Sequence, residues 1–246
     1  MTPRSVPASH GWQWIKSAFG IFKQNILIWI VLSVSVILIG ALLGMIPLIG
    51  SLLFQLIAPA FTAGLMIGCR AQQQGEELEI AHLFAAFKTH GTQLVTVGGI
   101  YLIGMLIIAG IVGLVGGESL IRAITAGHPS AETMGMPMPT VSMLPILVGM
   151  LLLVPLLMAY WFAPALIVFG NLTPVNAMKA SFAASIANVG AFLVYGLTLF
   201  VLFILATLPI MLGFLVMIPI AFITYYTAFE DVFDMNNDQA AITNQP

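Results

Sequence analysis

Six uninterrupted apolar runs decide what this chain can fold into. They cover about residues 26–46, 51–69, 94–115, 143–169, 190–208 and 214–229. A bilayer core of about 30 Å takes roughly 20 apolar residues in helical form, so each run reads as a membrane span. Polar or turn-forming residues separate them: Pro47 to Gly50, Arg70 to Glu77, Gly116-Gly117-Glu118, Pro209 to Gly213 and Glu230-Asp231. The fourth run is long enough to need tilt or a kink and contains Pro145, Pro155 and Pro164. The runs are continuous, not alternating, which excludes a membrane β-barrel. Composition closes off the soluble classes. Of 246 residues 60% are hydrophobic and 7% charged. Seven Lys+Arg and nine Asp+Glu stand where a soluble chain of this length carries about 60 charges. So apolar a chain is not disordered, a net charge of −2 offers no nucleic-acid surface, and one cysteine forms no disulfide scaffold. Cys69 reads as a small apolar residue.

Basic residues set the expected orientation. Arg4, Lys16 and Lys23 precede the first span, Arg70 and Lys88 lie between the second and third, and Lys179 lies between the fourth and fifth. Arg122 alone falls on the other side. Both termini are therefore expected in the cytoplasm and residues 116–140 outside. Residues 1–24 have no uninterrupted apolar stretch, so the first span reads as an uncleaved anchor.

The chain also repeats itself. Residues 12–25, 80–90 and 178–188 each stand before an odd-numbered span. Aligning Phe19, Phe84 and Phe182 brings Ile15, Ile80 and Met178 into register, and likewise Asn25, His90 and Asn188. Apolar residues recur at helical spacing in each block, which predicts three amphipathic helices. Thr173 and Pro174 mark the third one's start as N-cap and first helical residue. A proline recurs in the following even-numbered span at Pro59, Pro164 and Pro219. The expected fold is all-α: a single integral membrane domain of six transmembrane helices in three parallel repeats, each an interfacial helix plus a hairpin. The units cover about residues 11–70, 76–170 (with an external insertion at 116–140) and 174–233, followed by a polar tail at 234–246. The alternative is that amphipathic entries to hairpins look alike through physics alone.

Gly11-Trp12 with Phe19 and Phe22, the Ala58-Pro59-Ala60 and Ala163-Pro164-Ala165 motifs, and the Ala177-to-Asn188 block resemble a family of proteobacterial six-helix inner-membrane proteins. That family is similar to the YciC-type proteins and to the membrane domain of some glycerophosphodiester phosphodiesterases. The resemblance spans essentially the whole chain and implies the fold and a bacterial inner (cytoplasmic) membrane. It brings no activity and no catalytic residue.

Residues fit for chemistry are scarce. No span carries an Asp, Glu, Lys, Arg or His in its interior, where transporters place coupling groups. The polar residues there, such as Ser33, Gln55, Thr62, Tyr101, Tyr160, Tyr195 and Thr224, read as helix-to-helix hydrogen-bond partners or as the lining of a path. Gly40 with Gly44, and Gly64 with Gly68, are pairs that let helices approach closely, within the chain or against a partner. Pro59, Pro164 and Pro219 read as kinks or hinges. Met134, Met136 and Met138 are soft thioether ligands suited to Cu(I), or part of an apolar loop. His82 with Glu76, Glu77 and Glu79 lacks ligand spacing, and the Glu230–Asp238 stretch lacks the glycine and closing glutamate of a calcium loop. No nucleophile triad, phosphate loop, dinucleotide or zinc motif is present, so neither an enzyme nor a cofactor is expected. Two readings follow. One is a non-enzymatic scaffold or accessory subunit that interacts with membrane lipids or another integral membrane protein. The other is a transporter or channel for a small neutral or lipidic substrate. The expected lipid-interface set is Trp12, Trp14, Lys16, Phe19, Phe22 and Lys23, with Phe84, Phe87 and Lys88, and Lys179 and Phe182. It acts either as an anionic-lipid site or as a plain anchor.

Overall fold

The computed structural model describes residues 2–47, 49–126 and 143–234, the last ten of the middle segment as backbone only. The described residues are helical and contain no strand. The helices are α1 (His10–Gln24), α2 (Ile26–Gly44), α3 (Ile49–Gln73), α4 (Ala85–Ala126), α5 (Met143–Trp161), α6 (Ala163–Val168), α7 (Pro174–Ala187), α8 (Val189–Thr207) and α9 (Phe214–Val232). A 3-10 turn, Ile80–Phe84, leads into α4. Among the described residues six helical segments are long and apolar enough to cross a membrane: Ile26–Gly44, Ile49–Gln73, Ile80–Gly116, Met143–Val168, Val189–Thr207 and Phe214–Val232.

The first and third blocks form the separate helices α1 and α7; α1 is strongly amphipathic, whereas the buried face of α7 (Ala177, Met178, Ser181, Ala184, Ser185) is hardly more apolar than its outer face, contrary to expectation. Each ends on an asparagine whose backbone leaves the helix, Asn25 at φ −145° and ψ 61°, Asn188 at φ −122° and ψ 23°. Asparagine suits such a break because its short amide competes for backbone groups. The second block departs from expectation. Residues 80–84 make the 3-10 turn, and from Ala85 the chain runs through His90 into the span without interruption. Histidine offers no comparable competition for the backbone. At its other end α4 passes through Gly116-Gly117-Glu118, expected to stop the span, and continues to Ala126. Glycine stops a helix when it turns left-handed, and here it stays helical.

Prolines act unevenly. The fourth run breaks at Phe162, with Pro164 in the first turn of α6, whereas α3 and α9 continue through Pro59 and Pro219. Ser181 heals the break: its hydroxyl donates to the carbonyl of Met158 at 2.7 Å and accepts the N–H of Phe162 at 2.9 Å.

The chain forms two compact units. One consists of the described parts of Met1–Gly99 and Met158–Pro246, the other lies within Ile100–Leu157. In the second, Gly104 faces Leu156 and Gly149 faces Val112, which pairs α4 with α5. In the first unit α1 lies against α8 and α9, and α3 against α2, α6 and α9. Its core includes Trp14, Phe22, Trp29, Leu83, Phe162 and Phe229. Gly64 and Gly68 work within this unit. A Cβ at Gly64 would collide with the carbonyls of His82 and Leu83, and one at Gly68 would press on Leu78, so the pair seats the 78–83 segment on α3. Gly40 faces the ring of Phe54, while Gly44 faces open space.

Candidate functional site

Polar residues gather at one end of the first unit, where α1 and the segment before it meet the outgoing end of α9. Asp231, in the last turn of α9, is the hub. One carboxylate oxygen, Oδ2, accepts from the indole Nε1 of Trp14 at 2.7 Å and pairs with Nδ1 of His10 at 2.8 Å. The other, Oδ1, accepts from Nη2 of Arg4 at 2.7 Å. Thr227, one turn earlier, donates to the carbonyl of Trp14 at 2.9 Å. Arg4 sits 227 residues from Asp231 in sequence, so residues far apart in the chain lie at the same end of the unit.

A second polar knot ties α1, α2 and α3. Gln72 accepts from Nε1 of Trp29 at 2.9 Å, and its amide donates to the carbonyl of Ile21 at 2.9 Å and to Gln24 at 3.1 Å. Its neighbour Gln73 accepts from the hydroxyl of Tyr226 at 2.7 Å and donates to Glu230 at 3.1 Å. The guanidinium of Arg70 lies 5.2 Å over the ring of Phe169. Both knots hold α1 in one rotational setting, with its polar partners turned inward.

That setting sorts the expected lipid-interface residues. Trp14 and Phe22 are each 2% exposed, packed within the unit, and so leave the lipid-facing set. Trp14 meets Phe192 edge-on at 5.4 Å and is drawn inward by its bond to Asp231. Trp12, Lys16, Phe19 and Lys23 face out, at i, i+4, i+7 and i+11, which forms one stripe along the helix. The ammonium of Lys23 stands 5.1 Å from the ring centre of Phe19. On α7, Val175, Lys179, Phe182 and Ile186 face out at the same spacing. In the second block Ile80, Phe84 and Lys88 face out, while Phe87 is half-buried with its ring 5.0 Å from that of Phe61. The aligned phenylalanines are alike: Phe19 is 42% exposed, Phe84 43% and Phe182 37%.

Arg4, Gln13, Trp14, Ser17, Thr227, Glu230, Asp231 and Asp234 enclose a cavity of about 200 Å³ beside α1. Among the described residues no three His, Cys, Asp or Glu side chains converge as metal ligands. His82 serves the backbone instead: its Nδ1 accepts the N–H of Glu79 at 3.0 Å, one half of a capping box for the 3-10 turn. The candidate copper ligands Met134, Met136 and Met138, the external insertion, and the tail beyond Asp234 lie outside the described residues.

Among the described residues some span hydroxyls are spent locally, while that of Ser33 is buried without a hydrogen-bond partner. Ser35, Thr62, Thr207 and Thr224 donate to carbonyls of their own helices, and Tyr195 reaches Thr224 at 2.7 Å.

Sequence reasoning misses Asp231, Arg4, His10 and Gln72 as parts of these networks. In the sequence Arg4 and Asp231 look like flanking charges and nothing more.

No family model and no solved structure matches the chain. It is 29% identical over 207 residues to a Burkholderia thailandensis protein named as a probable inner membrane protein, an alignment that covers 80% of this chain and 74% of the relative. Six membrane-length apolar helices and this similarity make the chain a multi-pass inner-membrane protein.

Proposed function

We propose that this is a non-enzymatic scaffold or accessory subunit of the inner membrane that engages anionic lipid along its outward helix stripes. One observation carries the reading: Trp12, Lys16, Phe19 and Lys23 form an exposed stripe on a helix whose opposite face is locked by buried polar bonds. Aromatic rings favour the headgroup boundary, and each lysine there attracts anionic lipid by roughly 1 kcal/mol. A helix locked on one face presents these groups in a fixed direction. The stripe on α7 and the Phe84–Lys88 pair repeat the chemistry, which supports the three-repeat reading and the resemblance to YciC-type proteins and phosphodiesterase membrane domains. Span hydroxyls such as Ser35, Thr62 and Thr207 bond within their own helices, and Tyr195 and Tyr226 bond across helix contacts, which favours the scaffold over a transporter or channel with a polar path.

The test is native mass spectrometry in lipid. Replacing Lys16, Lys23, Lys88 and Lys179 by Gln should strip most retained anionic lipid from the folded protein. Unchanged retention in a folded variant reduces the stripes to a passive anchor.

In this reading both termini face the cytoplasm, on the strength of the six basic residues on that side. A Ser130→Cys variant should then react with an impermeant thiol reagent added from outside, because the native Cys69 is buried. Reaction only after the membrane is opened would reverse the orientation.

A further inference from the structure

Residues 2–9 precede α1 and are not part of it, yet distant parts of the chain satisfy their backbone. The N–H of Arg4 donates to the carbonyl of Val232 at 2.9 Å, and its Nε to the carbonyl of Asp231 at 2.7 Å. Those carbonyls belong to the end of α9, where a helix leaves acceptors without intrahelical donors and favours a positive charge. Nη2 of Arg4 adds the bond to the Asp231 carboxylate, and Nη1 stands 3.6 Å from Asp234. On the other side Asn188 holds the same segment. Its Oδ1 accepts the N–H of Val6 at 2.8 Å, and its Nδ2 donates to the carbonyls of Arg4 and Ala184, both at 2.9 Å. Ser5 donates to the carbonyl of Ala187 at 3.2 Å. Residues 4–6 therefore bridge the end of α9 and the elbow between α7 and α8.

None of residues 2–9 is buried, whereas α1 is fixed by Trp14, Ile15, Ala18 and Phe22 in the core. The segment's hold is polar, and the Arg4 side chain is 47% exposed. Exposed ionic contacts of this kind weaken in salt, and apolar burial does not.

We propose that residues 2–9 form an ionic latch. Closed, it sets Arg4 as one wall of the 200 Å³ cavity and ties α9 to the α7–α8 elbow. It opens, with the bundle intact, when cations compete for Asp231. Opening frees Oδ1 of Asp231 and Oδ1 of Asn188, while Trp14 and His10 stay on the other Asp231 oxygen and Ala184 stays on the Asn188 amide. This inference stands on the contacts of residues 2–9 and holds whether or not the stripes bind lipid.

Site-directed spin labelling of the full chain in lipid tests it. A nitroxide on Thr2→Cys reports the latch, and one on Ala183→Cys, exposed on α7, reports the bundle. The mobile fraction at residue 2 should rise about tenfold between roughly 0.05 and 1 M salt, while the signal at residue 183 holds steady. Arg4→Gln and Asn188→Ala should each free the residue-2 label at low salt. A label that stays immobile in Arg4→Gln and at high salt overturns the latch. So does loosening of both labels together, which would mark general unfolding.

Discussion

Asp231→Ala should lower the unfolding free energy by about 2–4 kcal/mol, and Asp231→Asn by about half as much. Most of the loss comes from Trp14. Its indole sits 2% exposed with Asp231 Oδ2 as acceptor at 2.7 Å, so truncation leaves a buried N–H without a partner. The ion pair with Arg4 contributes less, because that guanidinium faces water and exposed pairs are individually weak. Asparagine keeps one acceptor oxygen for the indole and His10 but turns a donor toward Arg4. Titration of the folded protein from lipid micelles into SDS, followed by tryptophan fluorescence, measures both variants. An alanine variant within about 0.5 kcal/mol of the parent would show that the indole finds another acceptor, and would remove Asp231 as hub. The two variants also separate effects: a large loss for both points to charge, a large loss for alanine alone to the buried bond.

Much of the architecture was legible because the bilayer asks so little of a sequence. A span needs length and apolarity, both visible in one chain, so the run at 26–46 became Ile26–Gly44 and that at 190–208 became Val189–Thr207. Rotation of a helix about its own axis is another matter. In water the apolar face is the buried face. In a membrane the lipid is as apolar as the core, and periodicity stops telling the two apart. Hence Trp12 and Trp14, two residues apart on α1, could not be sorted by sequence: one is outward and the other in the core. The polar hub was hidden for a different reason. Its partners stand 217 to 227 residues apart, and a lone arginine near one end and an aspartate near the other look like ordinary flanking charges. Gln72 was equally hidden, since a glutamine after a span reads as the return to water. Its three bonds to α1 and α2 are made in the interior.

The three aligned blocks show what a repeat signal does and does not determine. Asn25 turns the chain between α1 and α2 and Asn188 between α7 and α8, and the amide of Asn188 is fully engaged, by residues 4–6 and Ala184. At the matching position His90 remains helical and reaches Asn171 at 3.2 Å. Shared spacing therefore goes with shared outward phenylalanines, while each elbow is held by different partners.

Gly11→Val should destabilise the protein by about 1–3 kcal/mol or more. At Gly11 the backbones of α1 and α8 nearly touch: a Cβ there would overlap the carbonyl oxygen of Ala191 and press on the N–H of Tyr195. Both obstacles are backbone in the interior of a helix, so neither can step aside, and α1 must shift as a body. That shift pulls Trp14 from Asp231 and from Phe192, so contacts one turn away fail with it. Gly20 is the matched control. It lies on the same helix, and a Cβ added there would meet nothing within 4 Å, so Gly20→Ala should be neutral or stabilise by about 0.5–1 kcal/mol through helix propensity. Thermal unfolding of the two purified variants, read side by side in the same lipid micelles, gives the comparison. Equal midpoints would mean that α1 does not need its close approach to α8, and the fixed direction of the Trp12–Lys23 stripe would lose its mechanical basis.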